Sequence, residues 1–151
     1  MDVVSNAHER ELKLKLRLAQ IEKNEFSQND FIGFVRTVWP DFIAGRHHKI
    51  IAEKLERVAR GELKRLIINM APRHTKSEFA SYLFPAWMMG RNPKMKIIQA
   101  THTTELAVNF GRKTKNLIDS DEYKAIFPEV KLAADSKASG RWDTSKGGMY
   151  S

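Results

Sequence analysis

Two short apolar runs set among helical patterns constrain this chain more than any other feature. Leu66-Ile67-Ile68 and Lys96-Ile97-Ile98-Gln99-Ala100 are continuous rather than alternating, as in strands buried on both faces of a parallel sheet. Helical periodicity surrounds them. Ser27 can cap a helix with Phe31, Phe34, Val35 and Val38 on one face, ending before Pro40. A second helix is expected from about His47 to Arg60, with Ile51, Ala52, Leu55, Val58 and Ala59 inward and Gly61 at its C-terminal end. A third starts near Lys76, continues to about Met89 and is stopped by Gly90 and Pro93; a fourth, roughly 103–119, carries Leu106, Phe110 and Leu117 on one face. Strands alternating with helices predict right-handed βαβ crossovers and a parallel sheet. Two strands cannot make a doubly covered sheet, and SKASGRWDTSKGGMYS reads as strands or loops that expect more chain. The expected fold is α/β: an incomplete parallel sheet with flanking helices, preceded by N-terminal helices.

Residues 9–25 mix two signals. Leu12, Leu14, Leu16 and Leu18 alternate as in a strand, but the segment consists of good helix formers and Leu14, Leu18 and Ile21 share a helical face. A helical segment over 1–26 is therefore expected ahead of a domain over 27–151.

The chain's 151 residues amount to one domain. Cysteine is absent, which excludes disulfides, thiolate metal sites and cysteine nucleophiles. No apolar run of about 18 residues is present, so no membrane span is expected, and an early acid without an apolar stretch argues against a signal peptide. A cytoplasmic setting follows. The net charge of +8 favours polyanionic partners but is spread evenly over both halves, with no basic tail. A basic solvated surface explains it equally well.

The segment that carries chemistry is Asn69-Met70-Ala71-Pro72-Arg73-His74-Thr75-Lys76-Ser77, between an apolar run and a helix start. A helix N-terminus offers unpaired N–H groups and a positive dipole end, both of which attract phosphate. Lys76 stands where a lysine reaches β- and γ-phosphates, and Ser77 where a hydroxyl ligates Mg²⁺. The motif G-x-x-x-x-G-K-[ST] asks for glycine where Met70 and Thr75 stand. A left-handed backbone at a β-branched threonine costs about 1–2 kcal/mol. An ordinary helix-start lysine and a helix-capping serine are the alternatives for this pair.

MAPRHTKSEFASYLFPAWMMGRNPKMKIIQATHTTELA resembles the signature of the phage terminase large subunit, in which a P-P-R-x-G-K-S/T loop follows a short apolar strand. HHKIIAEKLERVARGELKRLIIN before it, and ELAVNFGRKTKNLIDS, DEYKAIFPEV and RWDTSKGGMYS after it, extend the resemblance over about residues 28–151. Thr75 departs from the glycine of that loop. The resemblance implies that the α/β fold is P-loop NTPase-like, and that it is the ATPase motor that drives double-stranded DNA into a procapsid, with ATP and Mg²⁺ at Ala71, Pro72, Arg73, His74, Thr75, Lys76 and Ser77. It gives Lys76 the phosphate contact, Ser77 the Mg²⁺ contact, and Arg73 a catalytic role as a finger on the γ-phosphate; a salt bridge or solvated charge is the equal alternative for Arg73. Double-stranded DNA, a portal protein, a small terminase subunit and a homo-oligomeric ring of the full-length protein are the implied partners, in the host cytoplasm and transiently at the procapsid portal vertex.

Hydrolysis in such a motor also needs an acidic pair closing a buried strand. Neither apolar run here ends in acid, so binding without useful turnover is expected. The family's acidic strand and its nuclease would follow Ser151. A non-catalytic basic module, docking on DNA, a portal or another terminase chain, is the competing reading.

His47 and His48 are expected to diverge on their helix and to hold no metal. His48 is open to two readings, a neighbour of the adenine or a partly buried structural histidine. His74 is a phosphate donor or simply exposed. Thr101, His102 and Thr103 either gather a ligand at a strand end or cap the next helix. Trp39, Trp87 and Trp142 read as core or interface rather than stacking platforms.

Overall fold

The computed structural model describes residues 2–134, 136 and 138–151, with side chains described from residue 8 onward; Lys137 of the expected tail lies outside the described residues. Helix α1 (Asp2–Asn29) settles the mixed pattern of 9–25 in favour of helix. Leu12, Leu14, Leu16, Leu18 and Ile21 are all exposed along it. Its last turns dock on the body. The Asn24 amide donates to the Ala125 carbonyl at 2.9 Å, the Gln28 amide to Ile126 at 2.6 Å, and the buried Trp87 indole N–H to the Ser27 carbonyl at 3.1 Å.

Ser27 is not a cap. It lies inside α1, where its buried hydroxyl donates to the Lys23 carbonyl and meets the Thr37 hydroxyl at 3.0 Å. Asp30 takes the capping role, accepting from the Gly33 N–H at the start of α2 (Phe31–Val38). As expected, α2 buries Phe31, Phe34 and Val35. Helix α3 (Arg46–Ala59) buries Ile51, Ala52 and Leu55, and Gly61 beyond it takes φ 76°, a conformation open to glycine at little cost.

From Lys76 the chain is helical through Arg91, with a π-helical stretch (Glu78–Leu83) leading into α4 (Phe84–Arg91). Pro85 accounts for the wide turn: it has no N–H to offer the preceding turn, and its ring crowds the carbonyl four residues back. Helices α5 (Thr104–Asp119) and α6 (Asp121–Ile126) complete the helical part. Phe31, Phe34, Phe79, Trp87 and Tyr123 form a fully buried aromatic centre, and the Tyr123 hydroxyl donates to the Ala86 carbonyl at 2.8 Å.

The expected P-loop-like parallel sheet is not what the chain builds. Most of the described structure is helical, and the sheet is a small mixed one of two-residue strands: β1 (Lys96–Ile97), β2 (Trp142–Asp143) and β3 (Met149–Tyr150), in the order β1-β3-β2. β1 pairs with β3 in parallel and β2 with β3 antiparallel. Residues 65–70 lie in no helix or strand; Leu66 and Ile68 pack on the core while Ile67 is 93% exposed. The reason is that apolarity supplies a face, whereas a strand requires a neighbour for its N–H and C=O groups. β1 is likewise shorter than the expected Lys96–Ala100, and Ile98 is exposed. Its backbone pairing with the chain end is nonetheless good, from Met149 N–H to Met95 and from Gln99 N–H to Ser151 at 2.7 Å. Trp142 and Tyr150 stack with ring centroids 5.0 Å apart, so Trp142, like Trp87, belongs to the core. Among the described residues no helix is long and apolar enough to cross a membrane.

Candidate anion-binding loop

The seven residues Ala71–Ser77 pass from the irregular segment into the helix that begins at Lys76. Two of them, Arg73 (φ 64°) and Thr75 (φ 59°), are left-handed although neither is glycine. Their neighbours are not, so the sign of φ alternates from Pro72 to Lys76. Such alternation is the backbone signature of an anion nest, in which successive N–H groups face one concave side. The position at which the phosphate-loop motif asks for glycine therefore does take a positive φ, and threonine bears its cost.

Arg73, Thr75, Lys76, Ser77 and Glu78 line a shallow concavity of about 250 Å³ here. That is small for a whole nucleotide but suits its phosphate end. Arg73, His74 and Ser77 are exposed and Lys76 half-buried. The Lys76 ammonium folds back toward the Ala71 carbonyl at 3.5 Å, a weak contact that a phosphate would outbid. The His74 ring nitrogen Nδ1 lies 2.9 Å from the Pro72 carbonyl.

His48 reaches this loop from α3, a link the sequence reading missed. Its Nε2 is 2.6 Å from the Thr75 hydroxyl, which in turn donates to the His74 carbonyl at 2.7 Å. Its Nδ1 accepts from the Gly45 N–H at 2.9 Å, half of a capping box at the helix start. An accepting Nδ1 places the proton of the neutral ring on Nε2, which then donates to Thr75. The ring is buried against Phe42 and Phe79, with centroids 4.8 and 5.1 Å away. Burial, reinforced by any charge on His47 or His74, holds its pKa below the ordinary histidine value.

Of the two readings of His48, the structural one fits these contacts. The expected divergence of His47 and His48 is overturned: their Nε2 atoms lie 3.0 Å apart, because both sit in the first turn of α3 and fold over the same loop. Among the described residues no three side chains converge as a metal site. Thr103 is the cap of α5, its hydroxyl accepting from the Leu106 N–H at 3.2 Å, and Thr101 donates to the Thr103 carbonyl. Comparison with protein-family models, with curated proteins and with solved structures finds no match to this chain.

Proposed function

We propose that Ala71–Ser77 binds the phosphates of ATP together with Mg²⁺, and that the chain serves in a DNA-packaging motor of the terminase kind. The observation that supports this reading is the alternation of φ sign over residues 72–76, ending where Lys76 and Ser77 open a helix. Two cations and a hydroxyl flank the nest, and these suit a polyphosphate and its metal. Lys76 would contact β- and γ-phosphate oxygens, Ser77 Oγ would ligate Mg²⁺, and Arg73, exposed at the rim, would meet charge developing on the γ-phosphate. Mg²⁺, when bound, would supply charge neutralisation to the phosphates. Double-stranded DNA, the portal protein, the small terminase subunit and further copies of the chain in a ring are the partners of this reading, at the portal vertex in the host cytoplasm. The test is saturable binding of a Mg²⁺–ATP analogue that Lys76→Ala abolishes without unfolding the chain.

A second reading, a non-catalytic module docking on DNA, a portal or another terminase chain, draws on the exposed leucines of α1. A folded chain that binds no nucleotide yet binds such a partner would favour it.

A further inference from the structure

We infer that His48 is a positioning residue for this loop: its neutral Nε2–H tautomer holds Thr75 left-handed and so replaces the glycine that the loop lacks. The inference rests on the phosphate-binding reading for its consequence, and on the His48–Thr75 contact for its substance. Three hydrogen bonds run in series, from Gly45 N–H to His48 Nδ1, from His48 Nε2–H to Thr75 Oγ1, and from Thr75 Oγ1–H to the His74 carbonyl. With Nδ1 accepting from Gly45 and the Thr75 proton given to the His74 carbonyl, the neutral ring carries its proton on Nε2, where Thr75 Oγ1 at 2.6 Å is a nearer acceptor than His47 Nε2 at 3.0 Å. Phe79 stacks on the ring and Phe42 meets it edge-on, and both limit its rotation. Thr75 makes this contact while in the left-handed conformation that a β-branched residue otherwise avoids. The Thr75 carbonyl then accepts the Phe79 N–H at 2.9 Å, tying the loop to the helix behind it.

Without His48, Thr75 loses the contact that offsets its left-handed cost, and the binding-competent loop becomes a minor state. Apparent affinity falls in proportion to the population of that state. A left-handed cost of one to two kcal/mol corresponds to about a five- to thirtyfold loss. Glycine at position 75 needs no such support.

The experiment is a double-substitution cycle on the full chain with His48→Ala, Thr75→Gly and both together. Two quantities are read for each protein: affinity for a Mg²⁺–imidotriphosphate analogue of ATP, and the midpoint of thermal unfolding. His48→Ala is expected to weaken nucleotide binding by about tenfold, Thr75→Gly to bind at least as tightly as the parent, and the double variant to bind within about twofold of Thr75→Gly. A histidine that merely fills the core would weaken both backgrounds equally, and that result overturns the inference. The unfolding midpoints keep the two claims apart. If the parent is folded and binds no nucleotide, the phosphate-binding reading fails. The positioning of Thr75 then stands if His48→Ala lowers the midpoint much less in the Thr75→Gly background than in the parent, and falls if the two losses are equal.

Discussion

The Lys113 ammonium on α5 holds the Glu78 carboxylate at 2.9 Å, one residue beyond Ser77 at the edge of the anion loop. Glu78 lines the concavity with Arg73 and Lys76, so on the proposed phosphate-binding reading Lys113 would offset negative charge beside the ligand. The side chains are 51% and 34% exposed, and a pair so solvated contributes at most about 1 kcal/mol to stability. Lys113→Ala should therefore leave unfolding nearly unchanged while weakening Mg²⁺–nucleotide binding by about two- to fivefold at low salt. The effect should shrink as ionic strength rises. Glu78→Gln should reverse it, and titration calorimetry at two salt concentrations measures both.

Trp87 joins the helices through its fully buried ring and its indole bond to the Ser27 carbonyl. Trp87→Phe leaves that carbonyl without its partner and should cost about 1–3 kcal/mol. Trp87→Ala adds a large cavity and should cost about 3–5 kcal/mol. Denaturant unfolding checks both, and an alanine cost under about 1 kcal/mol would mean that Trp87 does not sit in the core.

Stability should depend on pH through His48. Its pKa is depressed in the folded chain by burial, so the unfolded chain binds its proton more readily. The contribution to stability is complete above the ordinary histidine value, about 6.5. It is lost as pH falls from there through the folded-state value. Protonating Nδ1 also removes the acceptor of the Gly45 N–H. The melting midpoint should drop on acidification below about pH 6.5, and His48→Gln should flatten that part of the profile. Parallel profiles for both proteins would contradict this.

Much of the helical part was legible in the sequence. Phe31, Phe34 and Val35, or Ile51, Ala52 and Leu55, repeat at helical spacing, and such a stripe needs no knowledge of its partner. The sheet was not. Leu66–Ile68 has the composition of a buried strand, but a strand exists by virtue of its neighbour. The neighbour that β1 found is Met149–Tyr150, far along the chain. Helix α6 carried a usable signal, Ser120 as cap before Asp121 and Glu122. In the loop, the order of Lys76 and Ser77 at a helix start could be read directly. The contact between His48 and Thr75 joins residues 27 positions apart, and no local pattern announces it.

The central claim, that Ala71–Ser77 is a phosphate loop despite Thr75, is tested most directly by titrating a slowly hydrolysed ATP analogue with Mg²⁺ into the chain and its Lys76→Ala variant. The account predicts saturable, Mg²⁺-dependent binding that the variant loses while keeping its unfolding midpoint. Equal binding by both proteins, or none by a demonstrably folded parent chain, would contradict it.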